Sequence, residues 1–583
     1  MTIKQLEWKY LIPELSPFEA VFAQPSQPLP APMDVLQPRL MDGLTQFCHS
    51  RSPSRFLLLT AQEDEEYFQL ITETVKQLLP QGESIIGSRY VITGNGVTVQ
   101  PATRRDDNFA GRARGLYQPW IEHEQLFGCV RCYRDVLDLQ PGKMHEANGG
   151  VLVLGAKALA SQPLMWLRLK QMILQQRFDW LALDETRPLP VSIPSMPLDL
   201  RLVIIGDRES LADLNDLEPD LTKLALYAEF ESDVKILAAE DMQNWCAYVN
   251  SLLRTLALPQ LTPDAWPEMV RQAVRYSGDQ YQLPLCPHWL TRRFREAVLY
   301  SEQGAITAEA LYNSNRTRIW RESYLTERMQ DEISEGQIMV ETEGAMVGQV
   351  NALSVLDFPG HPLPFGEPSR ISCVVHLGDG EINDVERKAE LGGNLHAKGM
   401  MIMQAFLMAS LELDQQLPFS ASLVFEQSYG EVDGDSASLA ELSALISALS
   451  GKPIVQQIAV TGSVDQFGRV QPIGGVNEKI EGFFALCESR GLDGSHGVII
   501  PAANVRHLCL HEELVEAVRN EQFHIWPVET IDEALELLTG IPYDHEQKPN
   551  LIASIRERIA YINQHERLRL PWGFRWLNWF NQS

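Results

Sequence analysis

The chain has 583 residues, enough for several domains of ordinary size, and 45% of them are hydrophobic, as is typical of globular proteins. The formal net charge of −28 argues against a general nucleic-acid-binding or anionic-membrane-binding surface, because contacts to phosphate need clustered cations. No apolar run is long enough for a spanning helix and no signal region opens the sequence, so we expect a cytoplasmic protein without a transmembrane segment.

Eight cysteines are scattered through the sequence, and one pair, Cys129-x-x-Cys132, has the spacing of a metal or redox motif. A zinc site of the usual kind needs a second pair of cysteine or histidine ligands at similar spacing. None follows here, so the sequence predicts no metal site. Reduced thiols also suit the cytoplasm.

Residues 1–50 are rich in proline and predict an extended lead-in with a short helix from Leu40. Between residues 51 and 232, short apolar runs alternate with helical patterns, which predicts an α/β domain. Two of the runs, Val151–Leu154 and Leu202–Gly206, predict buried strands because they are apolar throughout.

The first strand of this region, Arg55–Ala61, leads into a helix expected over Glu63–Leu79. Strand–loop–helix openings carry phosphate loops when glycines and a Lys-Ser/Thr pair cradle the phosphates. Here the loop Ala61–Glu66 has no glycine, no lysine and four acids, which would repel a triphosphate. The sequence therefore predicts no nucleotide-binding residues here.

Residues 233–334 show helical periodicity and predict an all-helical domain. The expected helices are Gln243–Leu256, Ala265–Ser277, Pro287–Ser301 and Thr307–Gln330. A structural position within the third helix is the simplest interpretation of His288 and Trp289.

Residues 335–545 change to a strand pattern interrupted by helices, which predicts an α+β domain. Glu343–Asn351 predicts a hairpin and Ser369–Val375 a strand. The last helix of the domain is expected to begin at the capping box Thr530-x-x-Glu533 and to end at Gly540.

Ser436 lies immediately before an amphipathic helix in this domain. The apolar residues after it fall at helical spacing: Leu439, Leu442, Ile446 and Leu449. Gly434 permits a close backbone approach, and the free N–H groups around Gly434, Asp435 and Ser436 are suited to hold an oxyanion. An N-cap role alone would also explain a serine at this position.

Lys479 follows the break Gly474-Gly475 and lies in the first turn of a second helix. A serine hydroxyl is a weak nucleophile until a base takes its proton. A lysine serves as that base only when burial lowers its pKa well below about 10.4. Ser–Lys pairs are a known variant of serine–histidine catalysis, so Ser436 and Lys479 together predict nucleophilic catalysis.

These motifs resemble those of the Lon-type serine peptidases. The stretch Phe425–Ser438 resembles the nucleophile motif of the archaeal-type branch, and Gly474-Gly475-x-x-Glu478-Lys479 resembles the lysine motif of the family. The resemblance covers most of the chain from about Tyr324 onward. It implies that Ser436 is the nucleophile of a serine endopeptidase and that Lys479 is its general base.

The resemblance assigns two further residues. Thr461 matches the threonine whose hydroxyl orients the lysine amine, and Asp433 matches an acid that bonds the lysine in some branches. The resemblance also implies polypeptide substrates, unfolded or damaged, and a homohexameric ring.

By the same resemblance, residues 51–232 form a degenerate AAA+ α/β core and residues 233–334 its helical lid. The stretch Gln140–Leu154 resembles the strand that ends in magnesium-binding acids in AAA+ ATPases, but Gly155 and Ala156 occupy the acidic positions. The resemblance therefore implies loss of ATP hydrolysis and no required cofactor, and it leaves open whether ATP binds.

Two rival functions stay open beside an ATP-independent protease. One is an ATP-dependent Lon protease whose nucleotide site uses unrecognised residues, and the other is a non-catalytic, ring-forming holdase. His396 and Lys398, at the start of a long apolar helix expected to reach Leu413, are rival candidates for the base. Entry into that helix is the plainer explanation for both.

Residues 546–583 form a tail of different composition, in which arginines alternate with Trp572, Trp576 and Trp579. Such a tail is typical of an interfacial membrane helix, of an anchor onto a neighbouring subunit, or of a segment docked on the protein's own core.

Overall fold

A computed structural model describes residues 4–24, 32–80, 85–94, 96–134, 136–182, 188–301, 304–378, 380–412, 418–428 and 433–569, with side chains up to residue 561. The described chain forms two compact units. The first comprises Ala20–Trp266 and Pro284–Leu311, and the second comprises the segment ending at Glu19, Pro267–Leu283 and the chain from Tyr312 onward. The predicted domain boundaries at residues 51, 233, 335 and 546 stay predictions.

The first 340 residues contain fifteen α-helices, two short 3-10 helices (Trp8–Leu11 and Ser16–Phe18) and thirteen short strands within the described ranges. The helices are α1 Glu19–Phe22, α2 Met33–Leu36, α3 Pro38–Cys48, α4 Glu65–Leu78, α5 His123–Phe127, α6 Lys143–Glu146, α7 Ala156–Ala160, α8 Pro163–Gln175, α9 Arg208–Leu217, α10 Leu221–Leu224, α11 Ala239–Thr255, α12 Ala265–Ser277, α13 Pro287–Val298, α14 Ala308–Glu322 and α15 Tyr324–Ser334. The strands are β1 Phe56–Thr60, β2 Ser88–Thr93, β3 Gly96–Pro101, β4 Gly115–Gln118, β5 Cys129–Tyr133, β6 Val136–Gln140, β7 Val151–Gly155, β8 Arg177–Phe178, β9 Met196–Pro197, β10 Arg201–Gly206, β11 Leu226–Glu229, β12 Asp233–Lys235 and β13 Gln282–Pro284.

The first unit contains a five-stranded parallel sheet in the order β11-β1-β10-β7-β4. Every residue of β7 is buried, as expected of an inner strand in a parallel sheet. This sheet confirms the predicted α/β layer. Because the strands are parallel, the carboxyl ends of β1, β7 and β10 lie at the same edge, where such sheets place their ligands.

The remaining helices and strands lie beyond residue 340. The strands are β14 Ala345–Met346, β15 Gln349–Leu356, β16 Phe365–Leu377, β17 Ile382–Asp384, β18 Phe419–Glu426, β19 Ile454–Val455, β20 Ile458–Val460, β21 Ser463–Val464, β22 Val470–Gln471, β23 His496–Pro501 and β24 Phe523–Val528. The helices are α16 Val385–Lys388, α17 Asn394–Leu411, α18 Ser438–Ser450, α19 Val476–Arg490, α20 Glu512–Arg519, α21 Ile531–Thr539 and α22 Leu551–Arg569. Within the described ranges, no helix of the chain is long and apolar enough to cross a bilayer.

The second unit contains a seven-stranded mixed sheet in the order β17-β18-β16-β15-β20-β23-β24. Strand β16 is antiparallel to β15 and β18, whereas β15, β20, β23 and β24 run parallel. Together with the parallel sheet of the first unit, this sheet confirms a multidomain chain of α/β and α+β character.

Apolar side chains cover both faces of the mixed sheet. Along β20, Val460 packs with residues of α17, α18, α21 and α22, whereas Ala459 packs with residues of α19 and α20. Successive strand residues point to opposite faces, so α18 and α19 lie on opposite faces of the sheet. Thr461, the residue after β20, lies at the strand end between them.

The predicted single helix Thr307–Gln330 is wrong. Helix α14 ends at Glu322, and α15 begins two residues later. The hydroxyl of Ser323 lies 3.0 Å from the carbonyl oxygen of Trp320 and 2.8 Å from the carboxylate of Glu327, and its one hydrogen can be donated to either acceptor. Local hydrogen bonds of this kind compete with the helical ladder and end it, even where the apolar spacing continues.

The predicted hairpin Glu343–Asn351 is also wrong. Strand β14 pairs antiparallel with β19 instead, and β15 pairs with β16 and β20. The pairing partner of β14 lies about a hundred residues further along the chain, which local turn signals do not encode.

Helix α22 docks the first part of the tail on the core of the second unit. Leu551 and Ile555 are fully buried in the same apolar cluster as α18. A guanidinium nitrogen of Arg558 donates to the carbonyl oxygen of Ala448 at 2.7 Å, near the end of α18. The predicted tryptophan motif at 572–579 lies outside the described residues.

Candidate active site

Ser436 lies in the turn that leads into α18. Its carbonyl oxygen accepts a hydrogen bond from the N–H of Gly462 at 2.9 Å, and the N–H of Leu439 donates to the carbonyl oxygen of Gly462 at 3.0 Å. These two bonds fix the turn to the chain just beyond β20. The side chain of Ser436 is half-buried, so its hydroxyl is accessible while its backbone is held.

Lys479 lies in the first turn of α19. Gly475 caps the helix with a φ of +63°, a left-handed conformation that favours glycine. A Cβ on Gly366 of β16 would lie 2.0 Å from the carbonyl oxygen of Glu478, and one on Gly482 would lie 2.3 Å from the carbonyl oxygen of Gly366. The two glycines therefore allow the backbones of β16 and α19 to touch, which sets the position of the lysine.

The structure brings Ser436, Lys479 and Thr461 together. The ammonium nitrogen Nζ of Lys479 lies 2.9 Å from Ser436 Oγ and 3.3 Å from Thr461 Oγ1. Lys479 is 2% exposed and Thr461 is fully buried. Burial lowers the pKa of Lys479 to about 8, against the opposing effect of the negative charge of Asp435. This arrangement is suited to proton transfer from the hydroxyl to a neutral amine.

The two acids before Ser436 have different partners. Asp433 Oδ1 accepts hydrogen bonds from the N–H of Leu395 at 3.1 Å and of Gly434 at 3.0 Å, so its carboxylate lies at the start of α17. Asp435 Oδ2 accepts from the hydroxyl of Ser463 at 2.9 Å. Among the described residues, the side-chain hydrogen-bond partners of Lys479 are Ser436 and Thr461, and not these two acids.

The rival bases lie on α17. His396 is buried between the carboxylates of Asp384 and Glu441, and Lys398 is exposed. The hydroxyl of Ser436 has Lys479 as its hydrogen-bond partner in the described chain. The geometry therefore favours Lys479 over both rivals.

Glu478 and Glu481, on either side of Lys479, bind one arginine that the sequence analysis missed. Arg275 of α12 donates to the Glu478 carboxylate at 2.8 Å and to that of Glu481 at 2.7 Å. His511 Nε2 lies 3.2 Å from the same Glu481 carboxylate. The spacing of the two acids places them on one helix face, which is a local signal. Their partners lie far away in sequence, and no local signal marks them.

Side chains occupy the edge of the first unit's parallel sheet at which a phosphate loop would lie. The connection from β1 to α4 has four residues, Ala61–Asp64, and Glu63 Oε2 lies 2.5 Å from the position that a Cβ on Gly155 would take. Glu63 Oε1 accepts from the N–H of Lys157 at 3.2 Å. The amine of Lys157 donates to Asp207 at 3.3 Å. Lys157, whose side chain is exposed, thus forms a hydrogen-bonded network with Glu63 and Asp207 at this edge.

Comparisons with known proteins place these residues in a family context. The family model for the Lon protease (S16) C-terminal proteolytic domain matches residues 429–540, and that for the LonB-like AAA domain matches residues 119–231. A Lon protease homolog of Escherichia coli (strain K12) is 52% identical over the full length of both chains. A homolog of the same name from Haemophilus influenzae is 42% identical over 92% of this chain and 89% of its own. The archaeal Lon protease of Pyrococcus abyssi is 26% identical over 73% of this chain and 41% of its own.

Proposed function

This chain belongs to the Lon protease family, and from that premise we propose that it is a serine endopeptidase with Ser436 as nucleophile and Lys479 as general base. One observation carries the proposal. The buried amine of Lys479 lies 2.9 Å from Ser436 Oγ, within reach for proton transfer, and burial favours the neutral amine that a base requires.

The reaction follows from these positions. Lys479 takes the proton of Ser436 Oγ as the oxygen attacks a peptide carbonyl, and the negative charge that develops is held by the N–H groups of Asp435 and Ser436. The N–H of Gly434 already donates to Asp433 Oδ1, so Gly434 contributes its backbone conformation only. The protonated lysine then gives its proton to the leaving amine, which leaves an acyl-enzyme. Water attacks the ester with Lys479 again as base and releases the new carboxylate. Thr461 keeps the amine directed at the serine.

The test is covalent labelling by a serine-directed fluorophosphonate, with the modified residue mapped by mass spectrometry. We expect one label per chain on Ser436, no label on Ser436→Ala, and full labelling of Ser495→Ala, which removes an exposed hydroxyl of the same unit. The Ser436→Ala chain is also expected to leave an unfolded polypeptide uncut while keeping its fold, because the change removes one half-buried hydroxyl that caps no helix. Cleavage by purified Ser436→Ala protein would overturn the assignment.

The proposal includes ATP-independent turnover. The four-residue connection after β1 has no lysine for a phosphate, and Glu63 fills the space beside Gly155, where AAA+ ATPases hold magnesium with acids. We therefore infer cleavage of unfolded or damaged polypeptides without ATP hydrolysis, by a homohexamer in the cytoplasm. All eight thiols are free, which suits that compartment.

A further inference from the structure

Four ionisable side chains meet in the second unit, and the proposed reaction uses none of them. They are Asp384, Glu386, His396 and Glu441, here termed the His396 cluster, and each is more than nine-tenths buried. They come from the end of β17, from α16, from the first turn of α17 and from α18. Three carboxylates around one imidazole carry a net negative charge whenever the carboxylates are ionised, and burying that charge without a counter-ion is unfavourable.

The backbone orients two of the carboxylates. Asp384 Oδ1 accepts from the N–H of Arg387 at 3.4 Å, and Glu386 Oε1 accepts from the N–H of Phe425 at 2.8 Å. Each bond holds one oxygen of its carboxylate and leaves the other for a further partner. One ligand atom from each of Asp384, Glu386 and His396 lies within 4.8 Å of the other two, so one ion can contact all three.

The imidazole of His396 shows how an ion would fit. Its Nε2 lies 3.1 Å from Asp384 Oδ2, yet neither atom forms an aligned hydrogen bond with any described residue. Zinc–ligand bonds of about 2.0–2.2 Å place neighbouring ligand atoms roughly 3–3.5 Å apart, at angles between square and tetrahedral. An ion shared by the two atoms accounts for both the separation and the missing hydrogen bond.

The second ring nitrogen faces another carboxylate. His396 Nδ1 lies 3.7 Å from Glu441 Oε1. A histidine that binds a metal through one nitrogen commonly directs its other N–H at a carboxylate, which fixes the tautomer and the ring orientation. Glu441 is placed for that role.

We propose that Asp384, Glu386 and Nε2 of His396 bind one divalent cation of the zinc class, with Glu441 orienting the histidine. One nitrogen and two oxygen donors suit Zn²⁺ or Mn²⁺ better than Ca²⁺ or Mg²⁺, which take oxygen shells. The ion offsets the charge of its two carboxylate ligands and joins three separate segments of the second unit. One of these segments is α18, which begins two residues after Ser436. The ion therefore stabilises the position of the helix that follows the proposed nucleophile.

The proposal departs from the sequence expectation of no metal site. That expectation rested on the search for paired cysteine and histidine ligands at short spacing. The His396 cluster takes its members from separate segments, so no such spacing exists in the sequence.

The first test is calorimetric titration of the full-length, chelator-treated chain with Zn²⁺, and with Mn²⁺ in parallel. We expect one site per chain for zinc. Asp384→Asn, Glu386→Gln and His396→Ala should each weaken binding at least about 100-fold, and Glu441→Gln about 10- to 100-fold. His376→Ala, which removes an exposed histidine of the same unit, should bind as the unchanged chain does.

A second measurement keeps the proposal falsifiable if a variant fails to fold. X-ray absorption of the zinc-loaded, unsubstituted chain is expected to show a nitrogen and oxygen shell with one imidazole, and its Tm should rise with zinc. A sulfur shell would assign the ion to cysteines and overturn the proposal. So would the absence of zinc binding by the folded chain, or unchanged binding by variants whose circular dichroism shows a native fold.

Discussion

The amine of Lys479 has lost most of its contact with water, and this sets its chemistry. An ordinary lysine with a pKa of about 10.4 is neutral in roughly one molecule in a few thousand at pH 7. With a pKa of about 8, roughly a tenth of the molecules hold the neutral amine. Burial thus raises the population of neutral amine by more than two orders of magnitude, and the contacts to Ser436 and Thr461 direct this proposed base at the proposed nucleophile.

The pH dependence of cleavage should report this pKa. Burial disfavours the charged ammonium, so the neutral, active form of Lys479 increases as pH rises through about 8. We expect kcat/KM for a small peptide to rise about tenfold per pH unit below that value and to level off above it. The measurement is a profile between pH 6 and pH 10. A midpoint near 6.5, the ordinary histidine value, would point to another base.

Replacing Lys479 by arginine tests the base directly. A guanidinium stays charged at any pH at which the protein folds, so Lys479→Arg should lose about 10²- to 10⁴-fold in kcat. Lys398→Arg is the matched control, because Lys398 is exposed on α17 and was the rival base. It should keep the rate of the unchanged chain. Near-normal turnover by a folded Lys479→Arg chain would contradict the proposed role.

Helix α19, which carries Lys479, is held by charge as well as by packing. Arg275 bonds the carboxylates of Glu478 and Glu481, and His511 bonds Glu481. Burial alone would raise the pKa of the Glu481 carboxyl, but the charges of Arg275 and His511 lower it to about 2. The first turn of the helix, and with it the lysine, is thus fixed from α12 as well as from the sheet.

Loss of the arginine should destabilise the second unit. Arg275→Met leaves two carboxylates without their cation, which should cost about 2–3 kcal/mol of unfolding free energy, at the low end for a partly exposed pair. Arg271→Met, one turn earlier on α12, breaks a weaker and more exposed pair with Glu268 and should cost less than about 1 kcal/mol. Urea unfolding at pH 7 measures the unfolding free energy of both variants and of the unchanged chain.

The unfolding free energy lost in Arg275→Met should depend on pH. The folded pKa of Glu481 lies below its unfolded value of about 4.3, so its stabilisation is present above that value and is lost as pH falls toward 2. The difference in stability between the unchanged chain and Arg275→Met should therefore shrink between about pH 5 and pH 2. A difference that stays constant over this range would exclude the Arg275–Glu481 pair as its source.

Elements with strong local signals could be predicted from the sequence. Helix α21 begins at the predicted capping box of Thr530 and ends at Gly540 in a left-handed conformation. Ser436 and Lys479 could be predicted as a pair because glycines mark both positions and a family motif surrounds each.

Features built from distant segments could not be predicted. The partners of Arg275 lie about two hundred residues away, and the His396 cluster joins three separate segments of the chain. Helical periodicity and turn residues report local conformation, whereas these contacts exist only after the sheets and helices have packed. The break at Ser323 was missed for a related reason, because a side-chain hydrogen bond overrode continuous apolar spacing.

Over the whole molecule, the chain combines a region matching a LonB-like AAA family model, residues 119–231, with a region matching the Lon proteolytic domain, residues 429–540. At the edge of the parallel sheet that would face a nucleotide, Glu63, Lys157 and Asp207 form a hydrogen-bonded network. Burial raises the pKa of Glu63, as expected of a carboxyl held inside the network. The lysine of this edge is already bound to a carboxylate of the chain, so a triphosphate would have to displace it.

Cleavage should therefore be the same with and without ATP–magnesium. Neutralising phosphate charge is most of the catalysis of phosphoryl transfer, and this edge supplies acids where cations are needed. The measurements are peptide hydrolysis, steady-state ATP hydrolysis and calorimetric titration with ATP–magnesium, with Ser436→Ala as the control for proteolysis. ATP hydrolysis that disappears in Lys157→Ala would contradict the expectation and would favour the ATP-dependent alternative.

Helix α18 is enclosed on every side, since all residues of Ser438–Ser450 are buried. Two of its serine side chains are hydrogen-bonded within the unit: Ser443 donates to the carbonyl oxygen of Leu439, and Ser438 accepts from the N–H of Val464. Amide protons in such a helix exchange with solvent deuterium only when the surrounding core opens. We therefore expect the amides of α18, which begins two residues after Ser436, to be among the most slowly exchanging of the second unit. If Ser436 is the nucleophile, as proposed, its labelling by a serine-directed probe should persist until the unit unfolds as a whole.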